Sequence, residues 1–126
     1  MKHKVLLYDD DADILDVCST ILTMRGFDVL CKNDCRTIDD DINGYQPQVI
    51  LMDNWLPDMG GVKAVQQIKA TPAFANIPVV FFSANSHVEE LARESGADYM
   101  LKKPFDIDQL ETTIKEALQD GVKPSS

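Results

Sequence analysis

The sequence predicts an α/β domain, a doubly wound five-stranded parallel sheet covered by helices on both faces. Two observations carry this. Short apolar runs alternate five times with stretches whose apolar residues recur at helical spacing. The runs are also nearly continuous in apolar residues, as in strands buried on both faces by packed helices. Right-handed crossovers then restrict the topology to a doubly wound sheet. At 126 residues the chain has the length of one domain with a real core.

The elements follow in order. Val5-Leu6-Leu7-Tyr8 reads as the first strand. Residues 12–24 form the first helix, with Ile14, Val17, Cys18, Ile21 and Leu22 on one face and Gly26 as its stop. Val29-Leu30-Cys31 is a second, weaker strand, and RTIDDDIN a short helix with Ile38 and Ile42 one turn apart. Gly44 and Pro47 punctuate before a third strand at residues 49–52. Val62, Val65 and Ile68 mark a helix that ends before Pro72. Val79-Val80-Phe81-Phe82 is the fourth strand. Ser86 with Glu89 reads as a capping box for a helix through Ser95, closed by Gly96. Tyr99-Met100-Leu101 is the fifth strand. Ile107, Leu110, Ile114, Ala117 and Leu118 share one face of the last helix. The domain is read as residues 1–119, with 120–126 a frayed end or the start of a linker.

The strand ends carry the chemistry. In an open parallel sheet, ligands bind beyond the carboxyl ends of the strands. The first strand ends in Asp9-Asp10-Asp11, the third in Asp53, the fourth in Ser83-Ala84, and the fifth runs through Lys102-Lys103 into Pro104. Singly, each has a plainer reading: an aspartate after a strand is often a cap or turn residue, and a serine or lysine there is often on the surface. Asp11 is read that way, as the start of the first helix. The joint occurrence at four strand ends points instead to carboxylates, a hydroxyl and an ammonium converging on one edge. Clustered carboxylates repel unless something positive lies among them. A divalent cation with oxygen ligands meets that need, Mg²⁺ best of all.

Composition narrows the function classes. The formal charge of −9 argues against direct nucleic-acid binding, which needs clustered Lys and Arg. No apolar run approaches the roughly 20 residues that cross a bilayer, and the start MKHKVLLYDDD lacks the pattern of a signal peptide. A cytoplasmic location is expected. Cys18, Cys31 and Cys35 have no CxxC spacing and read as free thiols, the first two in the core and Cys35 nearer the surface. His3 and His87 are isolated, and Asp39-Asp40-Asp41 reads as a solvated helix face.

The stretches LLYDDD, ILMDNWLPDMGG, VVFFSA and GADYMLKKPF, in this order and spacing, resemble a response-regulator receiver domain, the phosphoacceptor module of two-component signalling. The resemblance covers residues 4–119. It implies the flavodoxin-like (βα)5 fold with strand order 2-1-3-4-5, for which receivers are a standard example. It implies Asp53 as the phosphoacceptor and Asp10 as a direct ligand of Mg²⁺ (or Mn²⁺). Asp9 would act on the metal mainly through water, and Trp55 would ligate it through its backbone carbonyl. Ser83 becomes the switch hydroxyl, Lys103 the partner of the phosphoryl oxygens, and the bond before Pro104 is expected to be cis. The implied partners are a histidine kinase or phosphotransfer protein, and a downstream protein, output domain or second copy. These last would dock on the face of the fourth helix, fifth strand and fifth helix. A membrane partner is not implied. The chemistry expected is self-catalysed phosphoryl transfer and dephosphorylation, not that of an enzyme with a separate substrate.

The chain departs from the family pattern at three places. Met100 stands where an aromatic residue is usual, with Tyr99 one place early and so facing the other way. Met59-Gly60-Gly61 replaces Met-Asp-Gly, exchanging a helix cap for a permissive glycine. Trp55 either shields the site from water or packs on its loop. Two rival classes meet obstacles. An aspartyl-phosphate phosphatase looks for an acid two places after the nucleophile, where this chain has Trp55. A flavodoxin-like cofactor binder needs a phosphate-cradling loop after the first strand, where Asp9-Asp10-Asp11 would repel phosphate. A degenerate receiver used only for protein contact would not need these acids, the serine and the lysine.

Overall fold

A computed structural model describes residues 3–56 and 59–121. The elements are β1 (Lys4–Tyr8), α1 (Ala12–Met24), β2 (Asp28–Lys32), α2 (Ile38–Tyr45), β3 (Val49–Asp53), α3 (Gly61–Ala70), β4 (Val79–Ser83), α4 (Val88–Ser95), β5 (Tyr99–Lys102) and α5 (Ile107–Gly121). All strand pairings are parallel, and the order is β2-β1-β3-β4-β5, as expected. Pro57 and Asp58 of the quoted motif lie outside the described residues, as do residues 122–126 of the expected tail. The last helix runs two residues past the boundary expected at 119, through Gly121.

Strand alternation sorts the core into two layers. Leu6, Tyr8, Ile50, Met52, Val79 and Phe81 face α2, α3 and α4. Val5, Leu7, Leu51, Val80, Phe82 and Leu101 face α1 and α5. All residues of β3 and β4 are buried, which is why these strands read as unbroken apolar runs. Tyr99 packs with the α1–α5 layer and its hydroxyl donates to the Glu116 carbonyl at 3.3 Å, whereas Met100 is 41 % exposed. The one-residue offset therefore does reverse the facing of the aromatic ring.

Local chemistry sets the ends of the elements. Asp11 caps α1, its Oδ1 accepting the Asp13 N–H at 2.9 Å. Gly26 closes that helix with φ 92°, and the Phe27 N–H reaches back to the Leu22 carbonyl at 3.0 Å. The break expected at Gly44 falls two residues later, on Gln46 at φ 55°, because α2 continues through Tyr45. The capping box at Ser86 does not form. Asn85 takes the role first: its Oδ1 accepts the His87 N–H at 2.8 Å, so α4 begins one turn-residue later with His87 at its N-cap. Cys35 is buried, at 2 % exposure, inside the α2–α3 layer and not near the surface; Cys31 is half-buried, and none of the three cysteines forms a disulfide. Asp41 leaves the solvated face as well. Its carboxylate accepts the Tyr8 hydroxyl at 2.7 Å and the Thr37 hydroxyl at 3.0 Å, and Lys32 lies 3.5 Å away. A buried phenol on β1 needs an acceptor, and Asp41 is the member of the acidic run that α2 turns toward it.

Gly60 and Gly61 bring α3 against the end of β3. Gly60 caps the helix at φ 81°, where a glycine costs nothing sterically. At Gly61 the limit is contact: a Cβ there would overlap the Asp53 carbonyl oxygen, and the Gly61 N–H donates to the Asn54 carbonyl at 3.0 Å. Gly61→Ala is expected to destabilise the fold by about 1–3 kcal/mol, the usual scale of overpacking. Urea unfolding measures this, and an unchanged midpoint would show that the two backbones can separate freely.

Candidate functional site

Register decides which strand-end residues meet. Tyr8 pairs with Met52, so Asp9 and Asp53 follow side by side on β1 and β3. Asp53 pairs with Phe82, and Ser83 pairs with Lys102. Asp9, Asp10, Asp53, Trp55, Ser83 and Lys103 all line one cavity of about 330 Å³ at this edge. Every site residue expected from the sequence is thus brought to one place.

The electrostatic centre is Lys103. Its Nζ donates to Asp9 Oδ2 at 2.8 Å and to Asp53 Oδ1 at 3.0 Å. Asp9 is fully buried and Asp53 is 4 % exposed, so neither carboxylate has bulk water to solvate it. Backbone donors take the remaining oxygens: the Asp11 N–H donates to Asp9 Oδ1 at 2.9 Å, and the Trp55 N–H to Asp53 Oδ2 at 3.2 Å. Burial raises the Asp53 carboxyl, the Asp9 charge adds to this, and the hydrogen bond from Lys103 opposes it; the result is a pKa of about 6. For Lys103, burial acts downward, but the hydrogen bonds to Asp9 and Asp53 outweigh it and hold the ammonium above its ordinary value.

Asp10 completes the acidic set. It is exposed, and among the described residues Asp9, Asp10 and Asp53 can each offer a carboxylate oxygen within 4.8 Å of the others'. One ammonium neutralises one of three carboxylates, leaving an excess of negative charge. Hard oxygen donors, one side open to solvent, fit a magnesium-like ion that keeps some of its waters. Asp9 and Asp53 each already hold Lys103 and a backbone N–H, which leaves the exposed Asp10 as the most available direct donor.

Ser83 lines the same cavity, 2 % exposed, its Oγ accepting the Asn85 N–H at 3.0 Å. The Lys103 N–H donates to the Ser83 carbonyl at 2.9 Å, tying the end of β5 to that of β4. The Lys103–Pro104 bond is cis. Trp55 does not pack on its loop: it is 76 % exposed at the rim of the cavity, while its neighbour Leu56 is buried and anchors the loop. The sequence reading overlooked Phe82, whose ring lies 4.8 Å from Lys103 Nζ. A phenylalanine in an apolar run carries no mark that separates such a contact from core packing.

Residues 5–115 match the response regulator receiver domain family, and the chain belongs to it. It is 32 % identical over 120 residues to the regulatory protein AtoC of Escherichia coli, covering 93 % of this chain and 25 % of that protein. It is 31 % identical to the transcriptional regulatory protein CpxR homolog of Haemophilus influenzae, over 98 % of this chain and 53 % of the relative. The chain thus spans a quarter to a half of these curated relatives. The crystal structure of the receiver domain of NtrX from Brucella abortus superposes with a TM-score of 0.82 at 28 % identity, covering 91 % of this chain and 98 % of that one. Among the described residues no helix is long and apolar enough to cross a membrane.

The raised Asp53 pKa has a consequence for stability in chelator. The unfolded chain releases this proton near 3.8 and the folded chain near 6. The folded state therefore holds more protons between those values, and the Asp53 contribution is most favourable below about pH 4 and is lost as pH rises to about 6. The loss is expected to reach about 2–3 kcal/mol. Urea unfolding at a series of pH values, compared with Asp53→Asn, isolates it: the mutant gains on the wild type across this window. Parallel curves would mean that Asp53 titrates normally.

Proposed function

We propose that this domain is a phosphorylation-controlled switch in which Asp53 accepts a phosphoryl group from a phosphohistidine. The observation that carries the reading is Lys103 bridging two buried carboxylates, Asp9 and Asp53, with Asp10 beside them. Such an arrangement lowers the stability of the fold, because desolvated like charges repel, and is understandable where the charges serve a site. Mg²⁺ or Mn²⁺ is the proposed cofactor, held by Asp10, Asp53 and the Trp55 carbonyl, with Asp9 acting through water.

The Asp53 carboxylate attacks phosphorus, the P–N bond to the donor imidazole breaks, and an acyl phosphate remains. Phosphoryl transfer of this kind depends on positioning and charge neutralisation. Lys103 sits where it can follow the developing charge from the carboxylate to the phosphoryl oxygens. The metal, when bound, screens those oxygens and lowers the repulsion between donor and site. The nucleophile needs no general base once it is ionised. Trp55, two places after Asp53, supplies no acid for rapid turnover, which favours a modified protein over an enzyme acting on a separate substrate. Hydrolysis of the acyl phosphate resets the switch.

The added charge gives Ser83 a reason to move. Among the described residues its hydroxyl is bound as an acceptor, from the Asn85 N–H, so its proton can be donated to a phosphoryl oxygen. Inward movement of Ser83 pulls the β4–α4 loop and alters the face of α4, β5 and α5, where a downstream protein, an output domain or a second copy docks. The relatives named above are regulatory proteins, and their longer chains are in keeping with an output domain beyond the receiver. A histidine kinase or phosphotransfer protein, in the cytoplasm, is the proposed donor.

Incubation with Mg²⁺ and a small acyl-phosphate donor, followed by intact-mass measurement, tests the reading. The wild type is expected to gain one phosphoryl group, and Asp53→Asn or chelated protein none. No gain from that donor or from a phosphohistidine protein would leave a constitutive protein-contact module.

A further inference from the structure

Lys103 follows β5, yet its ammonium lies against residues of β3 and β1. Strand order is β1-β3-β4-β5, so the side chain must cross β4 to get there. On the α1–α5 side of β4, Phe82 is the residue in its path: it is paired with Asp53 on one flank and Leu101 on the other. Its ring is fully buried, lies 4.8 Å from Lys103 Nζ at the centroid, and is braced edge-on by Phe105, 6.2 Å away at 73°. An ammonium over the face of a buried ring is attracted by the ring quadrupole, and more strongly where water is scarce. An aliphatic side chain would give the same floor without that attraction.

We infer that Phe82 is a positioning residue for phosphoryl transfer, its ring face holding the Lys103 ammonium at the Asp9–Asp53 pair. The hold matters most when the pair's charge is drawn off. As Asp53 becomes an acyl phosphate, its carboxylate ceases to anchor Lys103, and the ring keeps the ammonium in reach of the new oxygens. The inference rests on the phosphoacceptor reading of Asp53.

The test compares phosphorylation rates of the full chain with Mg²⁺ and a small acyl-phosphate donor. Position 82 carries phenylalanine, its mono-, di- and trifluorinated forms, or Phe82→Leu, each in the Lys103 and Lys103→Met backgrounds. Fluorination weakens the ring quadrupole with little change of volume, so folding is kept even if Phe82→Leu is unstable. The rate is expected to fall stepwise with fluorination, to about fivefold below the native chain, in keeping with a partly desolvated cation–π contact. The series is expected to be flat with Lys103→Met. In NMR spectra the Lys103 Hε protons are expected upfield in the native chain and near their ordinary position in Phe82→Leu. A flat series with Lys103 present, or equal losses in both backgrounds, would overturn the inference and leave Phe82 as core packing. A native chain that takes no phosphoryl group defeats the reading of Asp53 before Phe82 is changed, and this inference falls with it.

Discussion

The ammonium of Lys103, placed between the buried carboxylates of Asp9 and Asp53, is the interaction on which the edge of this domain depends. Two desolvated carboxylates on adjacent strands repel, and the sheet register leaves them no choice but to be neighbours. The lysine comes from the end of the edge strand β5, two strands over from β3 and 50 residues later in the chain than Asp53. A local sequence change cannot replace it. Nor does it cancel the problem, since Asp53 remains above its ordinary pKa and Asp10 adds a third acid. The rest of the fold supplies the rigidity that tolerates this strain: β3 and β4 are buried along their whole length, and their ends cannot splay to relieve the charge.

That rigidity also explains how a small charge change can be felt elsewhere. The core strands are fixed, so adjustment must fall on the loops after them. Among the described residues the β4–α4 loop is held by two side-chain contacts, Asn85 N–H to the buried Ser83 and His87 N–H to Asn85, the second at the surface, and these are few beside the bonds of the sheet. The facing of Tyr99 sets the make-up of the β5 edge. Its ring belongs to the α1–α5 core and its hydroxyl is engaged by α5, so the flexible and half-exposed Met100 occupies the outer face next to α4. Methionine is a flexible side chain that can repack there without a large volume change.

Much of the architecture was legible in the chain. Unbroken apolar runs such as VILM and VVFF announced strands buried on both faces, and the glycines at 26 and 96 marked helix ends through their left-handed backbone. The local cap at Asp11 followed from residue type and position alone. Where local signals competed, the reading went astray. Ser86 and Asn85 both offer a side-chain oxygen ahead of α4; Asn85 takes the His87 N–H, and the helix starts after His87. Asp39, Asp40 and Asp41 are alike in sequence, but Asp41 is the one turned to the Tyr8 hydroxyl, because α2 presents it there. Cys35 is buried by the packing of α2 on the sheet, which no neighbouring residue foretells.

The parallel sheet and the set of acids, hydroxyl and lysine at its carboxyl edge follow from residue order alone, since alternation, burial and parallel direction send every strand end to the same side. How those groups pair is set by the packed fold. Register made Asp9 and Asp53 neighbours, the crossing of β4 laid Lys103 over Phe82, and the close approach of α3 demanded a glycine at 61. These are contacts between residues far apart in the chain. Their energies depend on distances of a few ångströms, which periodicity and residue type do not specify.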